Sequence, residues 1–171
     1  AGNETATAAQ NTDLFREPLV DWQAVAAASA CLQGFCVITG GPGTGKTTTV
    51  TRLLCTLLGL QPNLTIALAA PTGKAAARML ESIRQTRERE SLPHAERIPD
   101  QSFTLHRLLG WTPDGFRYGP ERPLPWDCVV VDEASMVDLA MMYQLLVALA
   151  PGARLILLGD KDQLASVEAG S

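Results

Sequence analysis

Apolar residues in this 171-residue chain fall into two alternating patterns. Four short runs are apolar at nearly every position: Phe35 to Thr39, Leu64 to Ala69, Cys128 to Val131 and Arg154 to Leu158. Runs of that length, flanked by glycine, proline or polar residues, predict strands buried on both faces. Between them the spacing changes. Val50, Leu53, Leu54, Leu57 and Leu58 recur as one helical face, predicting a helix over 47–58. Further helices are expected over 75–89 and over 139–149, the latter ended by Pro151-Gly152. Ahead of the first strand, Asp21 can cap a helix running through Ala24 to Cys31 and closed by Gly34. Strands alternating with helices predict an α/β fold, a mostly parallel sheet flanked by helices on both faces.

The pattern also divides the chain. Residues 1–20 read as a tail or linker, and 21–171 as one domain interrupted by an irregular insertion at about 90–126. That insertion holds six of the eleven prolines. Within it, Thr104 to Leu109 suits a short helix, and Trp111 and Phe116 to Tyr118 flank a Thr-Pro-Asp-Gly turn, a hairpin signal. The chain stops at Ser171 soon after its fourth strand, so a C-terminally truncated domain is expected.

Composition narrows the class. Hydrophobic residues at 46% and charged ones at 19% suit a globular protein. No apolar run nears the ~18 residues of a membrane span, and the N-terminus lacks a basic apolar leader, so no membrane association and a cytoplasmic location are expected. Four cysteines form no CxxC pair and lie in apolar surroundings, which predicts buried reduced thiols. The net charge of −4 argues against firm DNA binding by this chain alone, because phosphate neutralisation supplies most of such affinity.

Chemistry concentrates at the ends of the predicted strands. Gly40-Gly41-Pro42-Gly43-Thr44-Gly45-Lys46-Thr47 joins the first strand to the first helix, the context of a P-loop. Backbone N–H groups of Gly41, Pro42's neighbours, Gly43, Thr44 and Gly45 can nest around an anion, and the helix start, with Lys46, Thr47 and Thr48, adds positive potential. Lys46 can reach the β- and γ-phosphates of a nucleoside triphosphate, and the Thr47 hydroxyl can hold Mg²⁺. The third strand runs into Asp132-Glu133. Ligands gather at the carboxyl ends of parallel strands, so Asp132 can serve Mg²⁺ and Glu133 can orient and deprotonate the attacking water. The blander alternative has these carboxylates capping the next helix. Gln163, in Gly159-Asp160-Lys161-Asp162-Gln163-Leu164, stands at the same edge, where an amide can sense a γ-phosphate or simply make a turn.

Five segments then carry a resemblance. GGPGTGKT, AAPTGKAAARM, TLHRLLG, VVVDEASMVD and LLGDKDQLASVEAG, in this order, resemble the RecD branch of superfamily 1B DNA helicases over roughly residues 20–171. The resemblance implies a RecA-like P-loop NTPase fold, the first of two motor domains, and ATP hydrolysis coupled to 5′-to-3′ translocation on single-stranded DNA in double-strand break repair and recombination. It implies that Gln23 contacts adenine, that Lys46, Thr47, Asp132 and Glu133 serve the phosphates, metal and water, and that Gln163 links the γ-phosphate to the second domain and DNA. It implies DNA contacts at Pro71, Thr72, Lys74, Thr104 and His106. For His106 the plain alternative is a helix residue packed beside the sheet. Partners implied are single-stranded DNA, the second RecA-like domain and, for the heterotrimeric nuclease, RecB and RecC. No residues here match the second domain or its arginine finger, so this piece is expected to bind nucleotide and hydrolyse it poorly.

Other readings stay open. A solitary RecD-like or relaxase-linked helicase fits the same motifs. A non-motor P-loop enzyme lacks a reason for the Thr-Gly-Lys segment after the second strand, and a nucleotide-holding interaction module lacks one for Glu133. Five of the nine aromatics fall between Phe103 and Trp126, where burial under a long loop is expected in preference to base stacking. The arginines of the second helix, Arg78, Arg84, Arg87 and Arg89, alternate with glutamates, which predicts a solvated face.

Overall fold

A computed structural model describes residues 33–41 and 43–160. Its centre is a five-stranded sheet with every neighbouring pair parallel. Strands β1 (Phe35–Thr39), β2 (Ile66–Ala70) and β3 (Phe103–Thr104) come first in the chain. After a small antiparallel hairpin, β4 (Trp111–Thr112) with β5 (Gly115–Phe116), come β6 (Cys128–Val131) and β7 (Arg154–Gly159). Across the sheet the order is β1-β7-β6-β2-β3. Parallel neighbours need crossovers, and the helices that supply them cover both faces.

On one face lie α1 (Lys46–Leu60) and α2 (Gly73–Arg89). Leu53, Leu54, Leu57, Met79 and Ile83 pack there against Leu68, Val130, Ile156 and Leu158. On the other lie α3 (Leu105–Leu108) and α4 (Leu139–Ala148). There Leu105, Leu108 and Leu145 meet Ala67, Ala69, Val129, Val131 and Leu155. Successive residues of β6 and β7 thus serve opposite cores, which is why their sequences are apolar without alternation.

The predicted elements recur with ends shifted by one to a few residues. Two differences are informative. The sheet has five strands where four apolar runs were read: β3 sits inside the proline-rich insertion, with Phe103 and Thr104 in register with Ala69 and Ala70. Two residues are too few to display a period. β1, expected to be fully buried, leaves Phe35 and Val37 about half exposed, at 52% and 50%. Among the described residues β7 is its one neighbour, so β1 lies at an edge. The tail 1–20, the helix expected from Asp21 and the residues after Asp160 lie outside the described residues.

The aromatic cluster is mostly half-buried. Phe103, Phe116, Tyr118 and Trp126 pack against the second core, with Phe103 and Trp126 rings 5.9 Å apart. Trp111 departs from that expectation and is 55% exposed. Of the cysteines, Cys36, Cys55 and Cys128 are free thiols, and burial pushes Cys128 up to about 12.

Candidate nucleotide site and adjoining DNA segments

Parallel pairing brings the carboxyl ends of β1, β7 and β6 together. Thr39 stands in register with Gly159, and Val131 with Leu157. Gly40 N–H then donates to the Gly159 carbonyl at 3.3 Å, and Asp132 N–H to that of Ala69 at 2.9 Å. A cleft of about 330 Å³ opens there, bordered by Lys46, Thr47, Asp132, Glu133, Gly159 and Asp160.

The loop after β1 depends on glycine at particular points. Gly43 and Gly45 have φ of 74° and 84°, in the left-handed region. At Gly40 a Cβ would come within 2.5 Å of the Thr44 hydroxyl oxygen, which itself donates to the Gly41 carbonyl at 2.8 Å. Gly45 begins α1 with no side-chain cap. Lys46 Nζ folds back and donates to the carbonyls of Gly40 and of Gly41, the latter at 3.0 Å. Its ammonium thus spends its donors on neutral carbonyls of its own loop, bonds that phosphate oxygens would replace with gain, since charge-assisted bonds are the stronger kind.

Asp132 is largely enclosed, and that burial holds its pKa above the ordinary carboxylate value. The Glu133 N–H, donating to Oδ1 at 2.8 Å, pulls the other way; Glu133's charge adds to the rise and Lys46 opposes it. A carboxylate so placed gains from a nearby cation. The Thr47 hydroxyl, the Asp132 carboxylate and phosphate oxygens together make the hard-oxygen set that Mg²⁺ takes, so the residues fit that ion. Among the described residues no trio of His, Cys, Asp or Glu forms a metal cage. Glu133 adopts φ 51°, ψ 40° and heads a short 3₁₀ turn over Ala134–Met136. A left-handed glutamate is uncommon, and here the strained backbone marks the cleft.

The segments after β2 and β3 lie side by side because those strands pair. Thr72 caps α2, its hydroxyl accepting from Ala75 N–H at 3.2 Å, and Thr104 caps α3 by accepting from Arg107 N–H at 3.3 Å. A Cβ at Gly73 would lie 4.0 Å from the Thr104 methyl. Pro71 is half-buried, and Lys74 is exposed at the first turn of α2. His106 is exposed rather than packed beside the sheet, with its ring 6.2 Å from that of Trp111 and 6.3 Å from that of Phe116.

Thus the sequence-predicted Lys46, Thr47, Asp132 and Glu133 share one cleft, with Gly41, Gly43, Thr44, Gly45 and Thr48 in the loop and first turn beside it. Pro42, Gln23 and Gln163 lie outside the described residues. Missed were Arg78, Met79 and Ser82 of α2, which also line the cleft. Missed too was Ser135, whose buried hydroxyl has no partner among the described residues. Arg78, Met79 and Ser135 fall within quoted motif segments, but nothing local gives them a role; Arg78, Met79 and Ser82 reach the cleft through the packing of α2.

Comparison with known proteins adds three findings. A family model described as an AAA domain matches residues 23–169. RecBCD enzyme subunit RecD of Haemophilus influenzae is 52% identical over 165 residues, covering 91% of this chain and 26% of that protein. ATP-dependent RecD2 DNA helicase of Deinococcus radiodurans is 46% identical over 136 residues, covering 78% of this chain and 16% of that one. A solved Pif1 helicase, studied in unwinding of forked double-stranded DNA, superposes with a TM-score of 0.57 at 21% identity, covering 89% of this chain and 36% of its own. That likeness concerns the fold. The chain spans about a quarter of the H. influenzae relative's length.

Proposed function

The chain belongs to the AAA domain family, and we propose that it is the ATP-binding first motor domain of a RecD-like DNA helicase. The observation that carries this reading is the convergence of Lys46, Thr47, Asp132 and Glu133 on one cleft at the carboxyl edge of the sheet. Lys46 exchanges two loop carbonyls for the β- and γ-phosphate oxygens of ATP. Thr47 and Asp132 would hold Mg²⁺, which when bound supplies neutralising charge for the phosphates. Glu133 accepts the proton of the attacking water and orients it in line with the γ-phosphate. Gln163 is assigned to the γ-phosphate and Gln23 to the adenine.

Thr72, Lys74, Thr104 and His106, in the segments that follow β2 and β3, are assigned to single-stranded DNA, with Pro71 shaping the turn. An opposing arginine from a second RecA-like domain would complete the site, a contribution worth about 10³–10⁵ in rate where such a residue is used. RecB and RecC are the expected partners if the parent resembles the RecBCD relative. A cytosolic location follows from a DNA motor of this kind.

Turnover tests the reading. This chain should bind Mg·ATP yet hydrolyse it near background, with or without a single-stranded oligonucleotide. A protein that joins it to the second motor domain should show DNA-stimulated hydrolysis, which Glu133→Gln abolishes while nucleotide binding survives. Brisk DNA-stimulated hydrolysis by this chain alone would overturn the two-domain reading.

A further inference from the structure

Resting on the reading that the cleft takes a nucleoside triphosphate, we propose that Arg78 contacts the terminal phosphate from the part of the cleft that α2 lines. α2 is oriented by its apolar face: Ala75, Met79, Ile83 and Thr86 are buried. The residues one step around the helix, Arg78 and Ser82, then border the cleft together with Lys46, Asp132 and Glu133. They stand four apart, so they share one stripe. Arg78 is therefore not simply part of a solvated face, although its side chain is exposed.

Charge gives this position its meaning. The cleft is bordered by Asp132, Glu133 and Asp160, and Lys46 and Arg78 are the cations that border it among the described residues. Lys46 belongs to the loop that wraps the β-phosphate. Arg78 comes from the side where β6 delivers the acidic pair, the end at which a γ-phosphate must sit if Glu133 is to aim water at it. Two other arginines of α2 are committed elsewhere: Arg87 pairs with Asp100 at 2.8 Å, and Arg84 donates to the Asp100 carbonyl at 3.4 Å. Arg78 makes no hydrogen bond or ion pair among the described residues. Its guanidinium has a fork of donors available, and a phosphate accepts such a fork in bidentate fashion. A γ-phosphate contact distinguishes ATP from ADP, so Arg78 sets the preference of the cleft for the triphosphate.

Equilibrium titration of this 171-residue chain with a Mg-bound non-hydrolysable ATP analogue and with Mg·ADP tests the assignment. Thermal melting would establish that each variant is folded. Arg78→Ala should weaken the analogue about ten-fold, the size of one charge-assisted bond pair, and leave ADP within about two-fold. Arg78→Lys should recover part of that loss, since it keeps the charge and loses the fork. Lys46→Ala should weaken both ligands. An unchanged analogue-to-ADP ratio in Arg78→Ala, with Lys46→Ala still impaired, would overturn the role of Arg78 and leave the nucleotide reading standing. Full affinity for both ligands in Lys46→Ala would overturn the nucleotide reading, and this proposal with it.

Discussion

Helices α1 and α2 both begin at the carboxyl edge of the sheet, after β1 and β2, yet their first turns are finished by different means. α2 starts with Thr72, whose hydroxyl takes the Ala75 N–H. α1 starts with Gly45 in a left-handed conformation and no side-chain cap. A capped start is self-sufficient; an uncapped one leaves donors for which the sequence has provided no acceptor. α1 tolerates this because its length is sunk in the core, with Val50, Leu53, Leu54, Leu57 and Leu58 almost wholly buried. α2 is more polar and more exposed and keeps its cap. The difference teaches where an anion belongs: at the helix whose start is incomplete and whose stability comes from elsewhere.

Breaking the comparison at α1 should give the largest effect. Lys46→Ala removes a charge-assisted contact to the phosphates and should weaken Mg·ATP binding by about 10- to 100-fold in a calorimetric titration. The melting temperature without nucleotide should barely move, because the bonds lost are to carbonyls of the lysine's own loop and not to the core. Thr72→Ala should do the reverse. Loss of the cap costs about 1 kcal/mol, a fall of roughly 2–4 °C in melting temperature, with nucleotide affinity unchanged. If Thr72→Ala weakened ATP and left stability intact, the two helix starts would not differ as described.

The smallest effect concerns Asp132. Its pKa is raised by burial, so the folded chain retains that proton to higher pH than the unfolded chain does. The associated stability is fully present below the unfolded pKa of about 4 and is lost as pH rises through the folded value. Asp132→Asn escapes that loss. The variant should melt a degree or two higher than wild type at pH 7, roughly half of the shift that 1 kcal/mol gives, and the gap should close near pH 4. Mg²⁺ should narrow the gap in the presence of ATP, since the ion would relieve the buried carboxylate. A gap independent of pH would mean that packing, not charge, separates the two side chains.

The cleft was readable in the sequence where chemistry requires contiguous residues. A glycine nest must be local, and so must a strand ending in Asp132-Glu133; both announce themselves without a fold. The four long strands were readable because burial on two faces suppresses alternation. What was hidden depends on contacts distant in sequence. β3 is two residues long and is a strand only by pairing with Ala69 and Ala70. Arg78 looked like one of several helix-surface arginines, and only the rotation of α2 about its buried face singles it out. His106 was weighed as a packed residue, but a four-residue helix with Leu105 and Leu108 buried turns it outward toward Trp111.

Among the described residues β1 has a strand on one side alone, which bears on how its other side can be used. Phe-Cys-Val-Ile-Thr has no charge, no proline and no bulge to discourage a visitor, and half of its length faces outward. Such an edge is a template: another extended segment can add to it backbone to backbone, with Phe35 and Val37 as side-chain anchors.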